Sequence, residues 1–292
     1  MDKRDLVISA ITGYTFKQIA PWVNSLDRSG FTGMKAVVCY NVDFATTQEL
    51  LNRGYAILAF QKDPITGNLT YPNPNFSVVV ERFLHYWVML NTTQNAEKIR
   101  YVLATDAKDV IFQRNPSDFL DLFTDHEGIV ASSEGIQYLN EPWAVNNLTQ
   151  SFGSVMYENH KNNTIINCGV LAGTFEVFMG LCKTIYLLSA GTIQHVPGGG
   201  GPDQAALNLL MATEAYRKHM QLMTHEDAWA AQLGTTMDPN KIRAFLPHIL
   251  EPVPVFDAER GLVVNLRGEP YTIVHQWDRV PEVRAAVERL YR

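Results

Sequence analysis

Through its first 115 residues the chain alternates apolar runs of strand length with stretches of helical spacing. Leu6–Ile11 reads as a strand, and Phe16–Leu26 as a helix that Pro21 interrupts or offsets. Lys35–Tyr40 predicts a second strand, Thr46–Arg53 a helix, and Tyr55–Phe60 a third strand. Gln61–Asn75 is rich in Pro, Asn and Gly and predicts a loop. In Ser77–Leu90, the residues Val80, Phe83, Leu84, Trp87 and Val88 recur at helical spacing and form a core face. Lys98–Thr105 closes the pattern as a buried strand. This βαβαβαβ order predicts an α/β fold, a mostly parallel, twisted sheet with helices on both faces.

The pattern loosens beyond residue 115. Asn115–Phe123 predicts a short helix with Pro116 in its first turn. Gly128–Ser132 and Ile165–Ala172 predict strands, and Thr174–Leu188 a core helix. Four glycines, Gly198–Gly201, then end at Pro202, which opens a helix through Ala205–Met211. A strand at Tyr271–Val274 and a charged helix at Pro281–Tyr291 finish the chain. No repeat or break in composition marks a linker, so one domain over residues 1–292 is expected, its C-terminal half the less regular.

Composition narrows the partners. The 292 residues are 46% hydrophobic, enough for a large core, yet no uncharged apolar run reaches the length of a membrane span. Lys and Arg total 24 against 30 Asp and Glu, a net charge of −6 with no basic run, which argues against nucleic-acid binding. The three cysteines, Cys39, Cys168 and Cys182, sit in apolar settings and read as reduced core residues. With no convincing signal peptide, a cytoplasmic location is expected. Asn-x-Ser/Thr triplets begin at Asn68, Asn75, Asn91, Asn147 and Asn162, but carry little weight without a secretory signal.

The stretch TDAKDVIF carries the clearest chemistry. Asp106 and Asp109 end a buried strand, the edge of an α/β sheet where ligands collect. Two hard oxygen ligands there suit Mg²⁺ or Mn²⁺ holding a diphosphate; the alternative is a turn cap and a solvated carboxylate. Asn167, in INCG within an apolar strand, either bonds backbone at a bulge or faces a cleft, and neighbouring Gly169 permits close approach. Asp203 and Gln204 open a helix after the glycines, where Asp203 at least stabilises the first turn. His275, in VHQWDR, ends the last strand as a metal ligand or a structural histidine. Glu226 and Asp227, in THEDAW, are either a general base or a solvated helix start.

This ordered set resembles the GT-A fold of nucleotide-sugar-dependent glycosyltransferases, in particular the retaining, glycogenin-like group. That group shares an aspartate motif after a strand, an Asn-x-Gly strand, a helix-opening Asp-Gln pair and a late histidine. The resemblance spans about residues 5–278. TDAKDVIF is one residue longer than the usual Asp-x-Asp, so both carboxylates are carried over. The implied layout is a nucleotide-binding half over 1–115 and a donor-sugar and acceptor half over 116–292. In it Asp106, Asp109 and His275 hold Mn²⁺ or Mg²⁺, and Asp106 also touches the ribose. Thr12 and Tyr14 meet the base, the alternative for Tyr14 being a packed staple. Arg82 contacts the donor or is a surface i,i+4 partner. Asn167 and Gly169 line the donor-sugar site, Asp203 grips sugar hydroxyls, and Gln204 lies beneath the anomeric carbon. The glycine run is either a lid or a flexible loop.

The implied activity is metal-dependent transfer of a hexosyl or pentosyl group from a nucleotide sugar, UDP-sugar favoured, to a glycan acceptor, with retention. A sugar-nucleotide nucleotidyltransferase would want a glycine-rich basic loop after the first strand, and SAITGYTFKQ has one glycine and no Arg. A haloacid-dehalogenase-type phosphatase fails on the Asp106–Asp109 spacing. A non-catalytic sugar-binding protein of the same fold stays open.

Overall fold

The computed structural model describes residues 3–63, 65–66, 76–123, 127–197 and 199–292. Most of the expected loop Gln61–Asn75, with Asn68 and Asn75, lies outside the described residues, as does Gly198. The strands are β1 (Arg4–Thr12), β2 (Met34–Tyr40), β3 (Tyr55–Phe60), β4 (Ile99–Thr105), β5 (Val110–Phe112), β6 (Ile129–Gln137), β7 (Thr164–Thr174), β8 (Met220–Met223), β9 (Ala230–Gln232), β10 (Val255–Asp257), β11 (Leu262–Val264) and β12 (Ile273–His275). The helices are α1 (Phe16–Arg28), α2 (Phe44–Asn52), α3 (Val78–Thr92), α4 (Pro116–Leu120), α5 (Pro142–Phe152), α6 (Ser154–His160), α7 (Phe175–Ala190), α8 (Asp203–Ala212), α9 (Glu214–Arg217), α10 (Leu233–Thr236), α11 (Ile242–Phe245) and α12 (Pro281–Tyr291).

Seven strands form one sheet in the order β3-β2-β1-β4-β7-β6-β8. All neighbours are parallel except where β7 runs antiparallel between β4 and β6, so the sheet is mostly parallel. Alternate residues serve two cores. Val7, Ile11, Val37 and Leu103 face one side, against Trp22 and Val23 of α1; Leu6, Ile8, Val38 and Val102 face the other, against Phe83 of α3 and Phe178 of α7. With both faces covered, β1 and β4 are apolar runs rather than alternating ones.

α1 runs through Pro21 as one helix, its buried face of Ile19, Trp22, Val23 and Leu26 outweighing the one backbone bond the proline removes. The side chain of Gln18 accepts from Thr15 N at 2.9 Å and closes its start. β5, β12 and β9 form a second, three-stranded sheet, which packs on α12 through Ile111, Ala231 and Val274 with Val283 and Val287. Three-residue strands leave too short a pattern for periodicity to reveal, and β5 and β9 went unpredicted. Among the described residues, no helix is long and apolar enough to cross a membrane.

Candidate active site

The turn between the two sheets carries the aspartates. β4 leaves the large sheet at Thr105, and the chain enters the small one at Val110. Thr105 is fixed twice: its carbonyl accepts from Ser9 Oγ at 2.7 Å, and its hydroxyl from Trp22 Nε1 at 2.8 Å. β12 lies between β5 and β9, which places His275 opposite Val110 on one side and Gln232 on the other. Gln276 N donates to the Asp109 carbonyl at 2.7 Å and completes the junction.

One ligand atom from each of Asp106, Asp109 and His275 lies within 4.8 Å of the other two. His275 Nε2 stands 3.6 Å from Asp106 Oδ2 and 3.8 Å from Asp109 Oδ1, longer than hydrogen bonds. Gly169 keeps this space open. A Cβ there would stand 2.6 Å from His275 Cε1 and 2.9 Å from both Asp106 Oδ2 and His275 Nε2. Two carboxylates and an imidazole around a small gap fit a divalent metal ion.

Arg82 is buried, not a surface i,i+4 partner. It pairs with Asp106, donates to Asp203 Oδ2 at 3.0 Å, and reaches the carbonyls of Val79 and Cys168 at 3.2 and 3.5 Å. Of its five N–H groups, that leaves one for a ligand. Burial works to raise the Asp106 carboxyl, but Arg82 and His275 outweigh it and bring the pKa down to about 2. Burial raises the Asp109 carboxyl despite the pull of His275, and raises Asp203 despite Arg82. His275 moves the other way from a buried imidazole. Burial alone would lower it, and the two carboxylates raise it above the ordinary histidine value.

Asn167 bonds backbone at a bulge and also lines the cleft. β7 bulges after it, and its Oδ1 accepts from Gly169 N at 2.8 Å within that bulge. Its Nδ2 faces the cleft and donates to Glu134 Oε1 at 2.9 Å. Gln204 is held at both ends of its amide: Oε1 accepts from Cys168 N at 3.2 Å, and Nε2 donates to Glu134 Oε1 at 3.1 Å.

These groups line a cleft of about 490 Å³ that runs on past Glu141 and Trp143. An adjoining cavity of about 210 Å³ holds Thr12, Tyr14 and Lys108 and shares Arg82, Asp106 and Asp109 with the first. Tyr14 is half-buried, its ring packed against the core and 6.0 Å from Lys108 Nζ. The packing agrees with the staple expectation, and the ring also borders the cavity.

Glu226 and Asp227 are not brought to the cleft. Both are exposed, and neither lines these cavities. Asp227 accepts from Thr224 N at 2.7 Å and Thr224 Oγ1 at 2.8 Å, which makes it the cap of its own turn. Besides Asp106, Asp109 and Asp203, the cleft is lined by the carboxylates of Glu134, Glu141 and Asp238, which sequence reasoning missed; Glu134 is the one bonded to Asn167 and Gln204. Its signal was weak: a lone acid, in SSEG, just past the apolar residues Ile129–Ala131. Gln232 was missed too; AWAAQLG offered only a single polar residue.

No protein-family model and no curated protein sequence matches this chain. Among solved structures, the fold is similar to that of WbbM, a bifunctional glycosyltransferase, with a TM-score of 0.57 and 11% identity. The likeness covers 98% of this chain and 50% of that one, so this chain spans about half the length of WbbM. At such identity the likeness establishes a shared fold. The chemistry has to be argued from the site.

Proposed function

We propose that this chain is a metal-dependent glycosyltransferase that moves a sugar from a nucleoside-diphosphate sugar, UDP-sugar favoured, to a glycan acceptor. The observation that carries this reading is the position of the Asp106/Asp109/His275 cluster. It lies where two cavities meet, one holding Thr12 and Tyr14 and one lined mainly by polar groups suited to sugar hydroxyls. A sugar nucleotide has that shape: base, diphosphate, sugar.

In this reading Tyr14 stacks on the base and Thr12 bonds its edge. Asp106, Asp109 and His275 hold Mn²⁺ or Mg²⁺, which when bound neutralises charge developing on the leaving diphosphate. Arg82 orients Asp106 and Asp203 and offers its remaining N–H to the donor. Asp203, Asn167 and Glu134 bind sugar hydroxyls. The Gln204 amide cannot take a proton and acts by position and dipole. That favours retention, with the acceptor proton passing to the leaving diphosphate on the same face.

Glu134 favours a second stereochemical reading. Among the described residues it forms no ion pair, only bonds to two amides, so it is a candidate base for inversion. Incubation with UDP-sugars, Mn²⁺ and glycan acceptors, followed by NMR of the anomeric proton, separates the two. Retention is expected; inversion together with loss of turnover in Glu134→Gln would assign Glu134 as the base. UDP binding of equal affinity in EDTA would remove the metal-dependent reading itself.

A further inference from the structure

The cation site has a buried partner behind it. Gln232 is fully buried at the end of β9, in register with His275 of the parallel neighbour β12. Its Oε1 lies 2.7 Å from His275 Nδ1. An imidazole that ligates through Nε2 must carry its proton on Nδ1, and that proton needs an acceptor. The amide oxygen of Gln232 is the group in place.

We infer that Gln232 is the positioning residue of the cation site: it accepts the Nδ1 proton of His275 and so keeps the Nε2 lone pair aimed between Asp106 and Asp109. The inference rests on the metal-dependent reading above, and goes beyond it by giving a role to a residue that touches neither cation nor donor.

The surroundings of Gln232 are built to hold it. Its backbone N–H points at His225 Nε2 at 3.4 Å, and the other nitrogen of that ring lies 3.2 Å from Glu251 Oε2. Glu251 in turn accepts from Ser133 Oγ and, at 2.9 Å, from His225 N. Gly135 makes room for this histidine, since a Cβ there would stand 3.1 Å from its ring. On the far side, Gln276 adopts φ 58° and its Oε1 accepts from Gly234 N at 3.0 Å, so the ends of β9 and β12 are tied together beyond the site. The carbonyl of Gln232 is occupied by the hydroxyls of Thr235 and Thr236 at 3.2 and 2.7 Å. The backbone groups of Gln232 are thus satisfied, while among the described residues its buried side-chain Nε2 has no partner. A side chain retained there with half its amide unsatisfied needs a reason, and the bond to His275 supplies one.

Calorimetry of Mn²⁺ binding in saturating UDP tests the assignment. Gln232→Leu, of similar volume with no acceptor, is expected to bind Mn²⁺ about 10–100-fold more weakly, the usual effect of losing such a partner. Gln232→Glu keeps the acceptor and is expected to retain wild-type affinity or exceed it. Long-range ¹H–¹⁵N spectra of the wild-type Mg²⁺–UDP complex read the tautomer directly and need no variant to fold. The proton is expected on Nδ1 of His275; a proton on Nε2, or equal Mn²⁺ affinity in Gln232→Leu, overturns the inference. Failure of the wild type to bind Mn²⁺ would instead fall on the proposed function.

Discussion

The two cavities that meet at the aspartate turn are built differently. In the larger, proposed to take the sugar, Arg82 pairs with Asp203, and Glu134 joins Asn167 to Gln204, with the β7 bulge underneath. In the smaller, proposed to take the nucleotide, Thr12 is exposed, Tyr14 half-buried, and Lys108 stands 6.0 Å from the Tyr14 ring. The side chains of the first therefore hold one another in place, whereas those of the second make fewer such bonds. Substitutions on the sugar side should damage stability and turnover together, and those on the nucleotide side should damage affinity alone.

The largest break is expected from Arg82→Met. It leaves Asp203 buried without its cation and Asp106 without its main counter-charge, at a cost of about 3–5 kcal/mol. Denaturant melts should show that loss, and turnover should fall below detection. A variant as stable as wild type would mean that the network is not what organises this wall. Asp109→Ala sits at the junction and separates the two properties. Its carboxyl is raised by burial and repelled by Asp106, so removal should change stability by less than about 1 kcal/mol. Turnover should nevertheless fall by about 10²–10³-fold, the scale of losing one electrostatic contact to a leaving group. Chelation of the wild type should reproduce that loss.

The contrast also explains what could be read from the sequence. The strands β1 to β4 are continuous apolar runs separated by helical spacing, and they end near their predicted limits. The aspartate turn, the Asn167 bulge and the Asp203-Gln204 helix start were legible because each sets polar residues against an apolar background. Glu134 and Gln232 were not, since a single acid after two serines, or a single amide in a short strand, has no pattern of its own. Their partners, Asn167 and His275, lie 33 and 43 residues away, and only the sheet register joins them. For Glu226 and Asp227 the sequence left a general base and a solvated helix start as alternatives, and the structure places both residues, exposed, at a helix start. A capping turn concentrates acids as an active site does, and local sequence does not tell the two apart.

On the nucleotide side, Tyr14→Ala should weaken UDP binding by about 1–3 kcal/mol, the usual worth of a base–aromatic stack. Because the ring also packs against the core, a loss of stability below about 1 kcal/mol is expected beside it. Calorimetry and a melt on the same sample decide the matter. Unchanged UDP affinity with a large drop in melting temperature would make Tyr14 a staple and leave the base with another partner.

The smallest effect expected is a pH dependence at the junction itself. His275 must give up its Nε2 proton to ligate, and Asp106 and Asp109 hold that proton more tightly than in an ordinary histidine. Mn²⁺ affinity should therefore be flat at high pH and fall as pH drops through the raised His275 value. Below it, each unit should cost about tenfold for the one proton displaced. Asp106, at about 2, stays ionised throughout and adds nothing to the slope. Asp109 is raised from the carboxylate range and should steepen the curve only at the acid end. Titration with Mn²⁺ alone, without UDP, avoids the ionisation of the nucleotide phosphate. His275→Gln should bind more weakly and lose the upper slope; a slope that survives in that variant would place the titrating group elsewhere in the cleft.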